Sequence, residues 1–144
     1  MQNTGLLRRI AAMLYDSLLV AALLFLATLP FIAIRGGEPV ESGDNLLYRI
    51  VLALVVYAFF VGFWCRSGRT LGMQSWGLQL ENDDGGMPSV TSASLRFFAA
   101  IISLLPLGLG FLWQIWDPAK LTWHDRISHT RIVYYPRQKT QKNQ

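Results

Sequence analysis

The sequence predicts an all-α integral membrane protein: two transmembrane helices, then a third apolar helical run broken at Pro106 to Gly110. Three observations carry this. The chain of 144 residues is 52% hydrophobic and only 15% charged, against about 25% charged in ordinary soluble domains. Its apolar residues fall into three long runs rather than scattered amphipathic faces. Its basic residues gather beside those runs, so the net charge of +4 reads as membrane topology and not as a nucleic-acid surface.

The first run, Ile10 to Ile34, holds twenty-five residues and a single formal charge, Asp16. At 1.5 Å per residue about 20 apolar residues cross a bilayer core, so this run suffices with some tilt. It is too long for a signal peptide and lacks a clear cleavage site. A carboxylate at the centre of a membrane helix costs roughly 2.5–3.5 kcal/mol, less toward an interface. Asp16 therefore needs a compensating partner, and Ser17 is one simple hydrogen-bonding neighbour. Arg9 is another, since seven residues at 100° each return to nearly the same face.

Arg35 to Asn45 is an acidic, glycine-rich loop. The second span, Leu46 to Cys65, is twenty residues long, with Arg49 placed to snorkel to the headgroups. Cys65, the single cysteine, is a small packing or lipid-facing residue. Arg66 to Ser94 does not span. Trp76 to Leu80 alternates in the manner of a strand, a turn follows at Asn82 to Gly86, and Ser92 or Ser94 can cap the next helix. The third run, Leu95 to Trp116, begins with Arg96 and is interrupted by Pro106, Gly108 and Gly110. A second short strand is expected at Arg131 to Tyr135. The chain forms one domain over 1–144, with a core over 7–133 and a polar tail over 134–144.

Arg8 and Arg9 place the N-terminus in the cytoplasm, and Arg66 and Arg69 return there. Beyond Trp116 stand six basic residues, Lys120, Arg126, Arg131, Arg137, Lys139 and Lys142, against Asp117 and Asp125. Three full crossings would expose this basic segment outside. Either the third run is re-entrant, turning at Pro106 to Gly110 under cover of protein or water, or it crosses and the tail follows despite its charge. Charge bias favours both termini inside, which would also let the two strands meet on one side of the membrane.

Four stretches together are similar to the RDD family of small bacterial membrane proteins. They are RRIAAMLYD at Arg8 to Asp16, GRTLGMQSWGLQL at Gly68 to Leu80, Arg96, and WHDRISHTRIV at Trp123 to Val133. The resemblance implies a multi-pass protein of the bacterial inner membrane. Arg9 and Asp16 match the arginine and first aspartate of the family name by position. Asp125 looks like the second aspartate, with Asp117 the other claimant. Transport has been suspected for the family, and sodium/proton exchange attributed to some members. Met73 stands where several members carry a lysine.

The candidate ion- or proton-coupling residues are therefore Arg9, Asp16 and Asp125, with Arg96, Asp117 and His124 secondary. Arg9, Asp16 and Asp125, two carboxylates and one guanidinium, in one cluster would suit a cation or a shared proton; Asp125 and Arg126 after Trp123 also read as an interfacial turn, the commoner arrangement for such residues and the one favoured. His124, His129 and Cys65 match no compact zinc signature, and no catalytic motif appears. Neither a cofactor nor an enzyme activity is expected. Two functions follow: a small transporter or cation/proton exchanger for a monovalent cation, acting as a homo-oligomer in the lipid bilayer, or a non-transporting membrane scaffold or accessory subunit.

Overall fold

The computed structural model describes residues 5–40 and 45–136. The tail expected over 134–144 therefore lies outside the described residues from residue 137 onward, and part of the first loop does too.

Helix α1 (Leu6–Ile34) runs uninterrupted through Pro30. Its buried residues are Arg9, Ala12 and Asp16, one stripe at i, i+3 and i+7. Many of its large apolar residues, such as Leu14, Leu18, Phe25 and Leu26, are exposed. This is the reverse of a soluble helix: the charged face is covered by protein and the apolar face is turned outward. Helix α2 (Leu46–Ser67) starts at Asn45, whose side chain accepts from the Tyr48 N–H, and ends at Gly68 with φ 66°. That left-handed conformation suits glycine at a helix C-terminus. Among the described residues, α1 and α2 are long and apolar enough to cross a membrane.

A short helix α3 (Leu71–Ser75) follows, capped by Thr70. The sequence pattern gave this segment no helix, since five residues present no period to read. Strand β1 (Leu78–Asn82) is shifted two residues from the expected Trp76 to Leu80, because Trp76 closes α3 and Gly77 turns with φ 68°. Helix α4 (Val90–Leu104) is capped by Ser89, not by Ser92 or Ser94. Those serines lie inside its first turns, where Ser92 N–H donates to the Ser89 hydroxyl. A helical turn α5 (Leu109–Leu112) and a 3-10 turn (Trp113–Ile115) come next, bent by 109° from α4. The expected break at Pro106 to Gly110 is thus a sharp elbow, and α4 with its bent partner is a broken span or a re-entrant loop.

Helix α6 (Trp123–Ile127) and strand β2 (Thr130–Tyr134) complete the described chain. Strands β1 and β2 pair antiparallel, Leu78 opposite Tyr134 and Asn82 opposite Thr130. A two-stranded ribbon is marginal alone. Here Leu78 and Leu80 are wholly buried, packed in one cluster with Ala12, Val61, Trp64, Met73 and Ala93. Partly buried Cys65 packs against it, as a packing residue. The ribbon therefore leans on α1, α2 and α4, and the chemistry of the molecule collects where these elements converge.

Candidate functional site

Asp125 is the centre of the polar cluster. Thr122 and Asp125 form a reciprocal cap on α6: the Asp125 N–H donates to the Thr122 hydroxyl, and the Thr122 N–H donates to the Asp125 carboxylate at 3.0 Å. The cap fixes the carboxylate in a single orientation. The Arg9 guanidinium, from α1, donates to one oxygen at 2.9 Å. The Arg96 guanidinium, from α4, donates to the other at 2.5 Å and also to the Thr130 hydroxyl at 3.0 Å. Asp125 is 1% exposed, and Arg9 and Arg96 are each 3% exposed. Burial alone would raise the Asp125 carboxyl. The charges of Arg96 and Arg9 more than offset this and hold it well below the usual carboxylate range.

The neighbouring His124 is buried, its ring stacked on Phe111 at 5.8 Å. Burial pushes its pKa down to about 3, helped by the charge of Arg96. It is therefore neutral at physiological pH. The Arg96 guanidinium also sits 5.5 Å from the Trp64 ring.

Asp16 is held from another direction. Its Oδ2 accepts from the Thr70 hydroxyl at 2.5 Å and its Oδ1 from the Gly72 N–H at 2.9 Å. Thr70 also caps α3 by accepting from the Met73 N–H. This contact depends on small residues: a Cβ on Gly72 would lie 2.3 Å from the Ala12 carbonyl oxygen. Arg9 and Asp16 do share the buried face of α1. The seven residues between them, however, span about 10 Å of helix axis. Asp16's short hydrogen bonds run to α3, while Arg9's ion pair is with Asp125. Ser17 is not the partner of Asp16; its hydroxyl donates to the Met13 carbonyl one turn back.

Of the residues singled out in the sequence, the structure thus brings together Arg9, Arg96 and Asp125, with His124 adjacent in α6. Asp16 joins Arg9, Arg96 and His124 in lining one cavity. Asp117 stands apart: it pairs with Arg126 and accepts from the Leu121 N–H, which holds its carboxyl below the ordinary value. Sequence reading missed Thr70, Gly72, Thr122 and Thr130. The T-x-x-D spacing of Thr122 and Asp125 was a legible capping signal. Nothing local marks Thr130, which is chosen by the pairing of distant strands.

An α-helical protein with lipid-facing apolar surfaces and a buried Arg–Asp–Arg cluster where its membrane helices meet a small strand ribbon is an integral membrane protein. The model of the RDD family matches residues 4–129, and the chain belongs to that family. It is 31% identical over 90 residues to "Uncharacterized protein YxaI" of Bacillus subtilis (strain 168), a match covering 62% of this chain and 58% of that protein. No solved structure matches the chain.

Proposed function

We propose that this protein is a small inner-membrane transporter, exchanging a monovalent cation against protons as a homo-oligomer, with Asp16 as the coupling acid. The observation that carries this reading is a carboxylate, 4% exposed, nearly three turns inside a membrane-length helix and on the wall of a cavity. An intramembrane acid of this kind is expensive to keep unless it is used or fully paired. Arg9, Arg96 and Asp125 then serve as the clamp that fixes α1, α4 and α6 around it. Two long helices and one bent pair make a thin wall around any path, which supports an oligomer.

The proposed topology puts both termini in the cytoplasm. It is supported by the positive-inside bias and by the pairing of β1 with β2. Strands on either side of the α4–α5 elbow can share a ribbon only if they lie on the same side of the bilayer. A re-entrant third run satisfies this.

The second reading is a scaffold or accessory subunit. It is favoured by the bonding of Asp16 itself: both oxygens already accept hydrogen bonds from the α2–α3 connection and α3, as a structural staple would. Asp16→Asn separates the two. The exchange reading expects a variant that assembles in detergent like the parent yet loses cation-dependent proton flux in liposomes by tenfold or more. Unchanged flux, or loss of assembly itself, leaves Asp16 as a staple only.

A further inference from the structure

Helices α1 and α4 each pack on α2, and a cavity of about 340 Å³ lies between them. This falls within the usual range of small-molecule sites, about 300–1,000 Å³. Its wall on α2 is Val56, Phe60 and Trp64, spaced i, i+4 and i+8 on one helix face and running about 12 Å along the axis. Phe97 and Ala100 line it from α4. Met13, Ile101 and Leu104 also line it, yet each is exposed on the outer surface of its helix. The cavity therefore opens on the face that meets lipid.

The charged groups on this wall already have partners inside the protein. Asp16 accepts from Thr70 and Gly72, Arg96 donates to Asp125 and Thr130, and Arg9 is ion-paired with Asp125. Both signs of charge are present and each is bonded, so the wall selects no ionised guest of either sign. A charge buried without a counter-charge is costly, so the part of a guest that enters must be neutral. Trp64 is the group that calls for one. It is 8% exposed, and its Nε1 has no hydrogen-bond partner among the described residues. Buried polar atoms are nearly always paired, and an indole N–H can only donate. What it lacks is an acceptor. Trp64 lies three residues before the end of α2, near the depth at which a span leaves the hydrocarbon and meets the polar interface, where the glycerol esters of a bilayer lie. Ser103 Oγ and His124 Nδ1 also lack partners among the described residues, but they lie toward the α5 elbow, against Gly110 and Phe111, and an acceptor at Trp64 is not asked to serve them.

We propose that this cavity binds one acyl chain of an ester-linked bilayer phospholipid. The chain enters between α1 and α4 from the lipid side and lies along Phe60 and Val56. Its ester carbonyl accepts from the Trp64 indole N–H, and the headgroup stays outside in the interface. This reading does not rest on ion exchange, since it is measured as binding at equilibrium and requires no flux.

The test titrates phospholipid into the full, delipidated chain in maltoside micelles and follows the first lipid bound per chain by native mass spectrometry. Dipalmitoyl phosphatidylcholine and its dihexadecyl ether analogue share headgroup and chain length and differ in the two carbonyls. The diester is expected to bind about threefold to tenfold more tightly than the diether, the scale of one neutral hydrogen bond. Trp64→Phe keeps an aromatic wall and removes the donor. It is expected to weaken the diester by that factor and to leave the diether unchanged. Ala100→Leu fills the cavity from α4 without touching the indole. It is expected to weaken both lipids by about tenfold or more, the scale of two methylenes left unburied. Should Trp64→Phe fail to fold, the contrast between diester and diether in the parent and the effect of Ala100→Leu decide together. Equal binding of the two lipids by the parent would remove the carbonyl from the site. A diester preference that survives Trp64→Phe would place the carbonyl on another donor. Lipid affinity untouched by Ala100→Leu would place the chain outside this cavity. Any of these three results overturns the proposal.

Discussion

Asp125 and Asp117 are both carboxylates paired with arginine, but the two pairs differ in their surroundings. Asp125 is shared by two buried guanidinium groups, whereas the Arg126 side chain that meets Asp117 is 55% exposed. Removing one member of a buried pair strands the other charge and costs about 3–5 kcal/mol; a pair with an exposed partner is worth about 0–1 kcal/mol. Asp125→Asn is accordingly expected to lower the thermal midpoint in detergent steeply, and Asp117→Asn hardly at all. His124 gives a pH signature. Its folded pKa is about 3 against 6.5 for the free side chain. Below pH 6.5 the unfolded chain takes up a proton that the folded chain refuses. The stability due to neutral His124 is therefore complete above pH 6.5 and declines as pH falls toward 3. At 1.36 kcal/mol per unit, about 2–3 kcal/mol is lost by pH 4.5. Asp125 also has a depressed pKa, so its contribution holds above about pH 3.9 and is lost only in stronger acid. Thermal melts between pH 7.5 and 4.5 should show this limb in the parent and a flatter profile in His124→Gln.

At the scale of elements, the approach of α3 to α1 is set by glycine. Ala12 and Gly72 let the two backbones come close enough for the Gly72 N–H to reach Asp16. Gly72→Ala places a methyl 2.3 Å from the Ala12 carbonyl oxygen and 2.9 Å from the Asp16 carboxyl carbon. Both elements are backbone-constrained there, so α3 must move away and the bond to Asp16 is lost. Overpacking of this kind costs about 1–3 kcal/mol, and the upper end is expected. Gly62, in the last third of α2, has nothing within 4 Å of the same added atom. Gly62→Ala should therefore leave the melting midpoint within about 1 °C, or raise it slightly, because alanine is the better helix former. Thermal unfolding of the two variants side by side separates packing from propensity.

For the whole molecule, the ribbon ties together segments that lie on either side of the third apolar run. Cysteines introduced on a Cys65→Ser background read its topology. Asp84→Cys, in the turn after β1, and Tyr135→Cys, just beyond β2, should be modified by an impermeant thiol reagent from the same side of the membrane. Glu38→Cys, in the loop between α1 and α2, should be modified from the opposite side. Labelling of Asp84→Cys and Tyr135→Cys from opposite faces would exclude a re-entrant run and break the ribbon.

The sequence alone determined the class of the molecule and the identity of its unusual residues. Twenty apolar residues in a row have few places to go but a bilayer core, so α1 and α2 were legible with near-correct ends. The elbow was legible too, because proline and two glycines disrupt helix wherever they cluster. The family likeness rested on short motifs that keep their order along the chain. Tertiary structure decided the partners. Arg9 shares a helix face with Asp16, which made them look like a pair. Yet the ion pair of Arg9 is with Asp125, far along the chain in sequence, because α6 packs against α4 and presents its carboxylate to Arg9 and Arg96 together. Thr70 and Gly72 answer Asp16 because a five-residue helix, too short to show a period, is seated against Ala12. Hydrophobic patterning records which face of a segment is covered, and charge patterning records which end lies where. Neither records which of several buried donors reaches a given carboxylate, since that depends on distances between elements set by side-chain size and loop geometry.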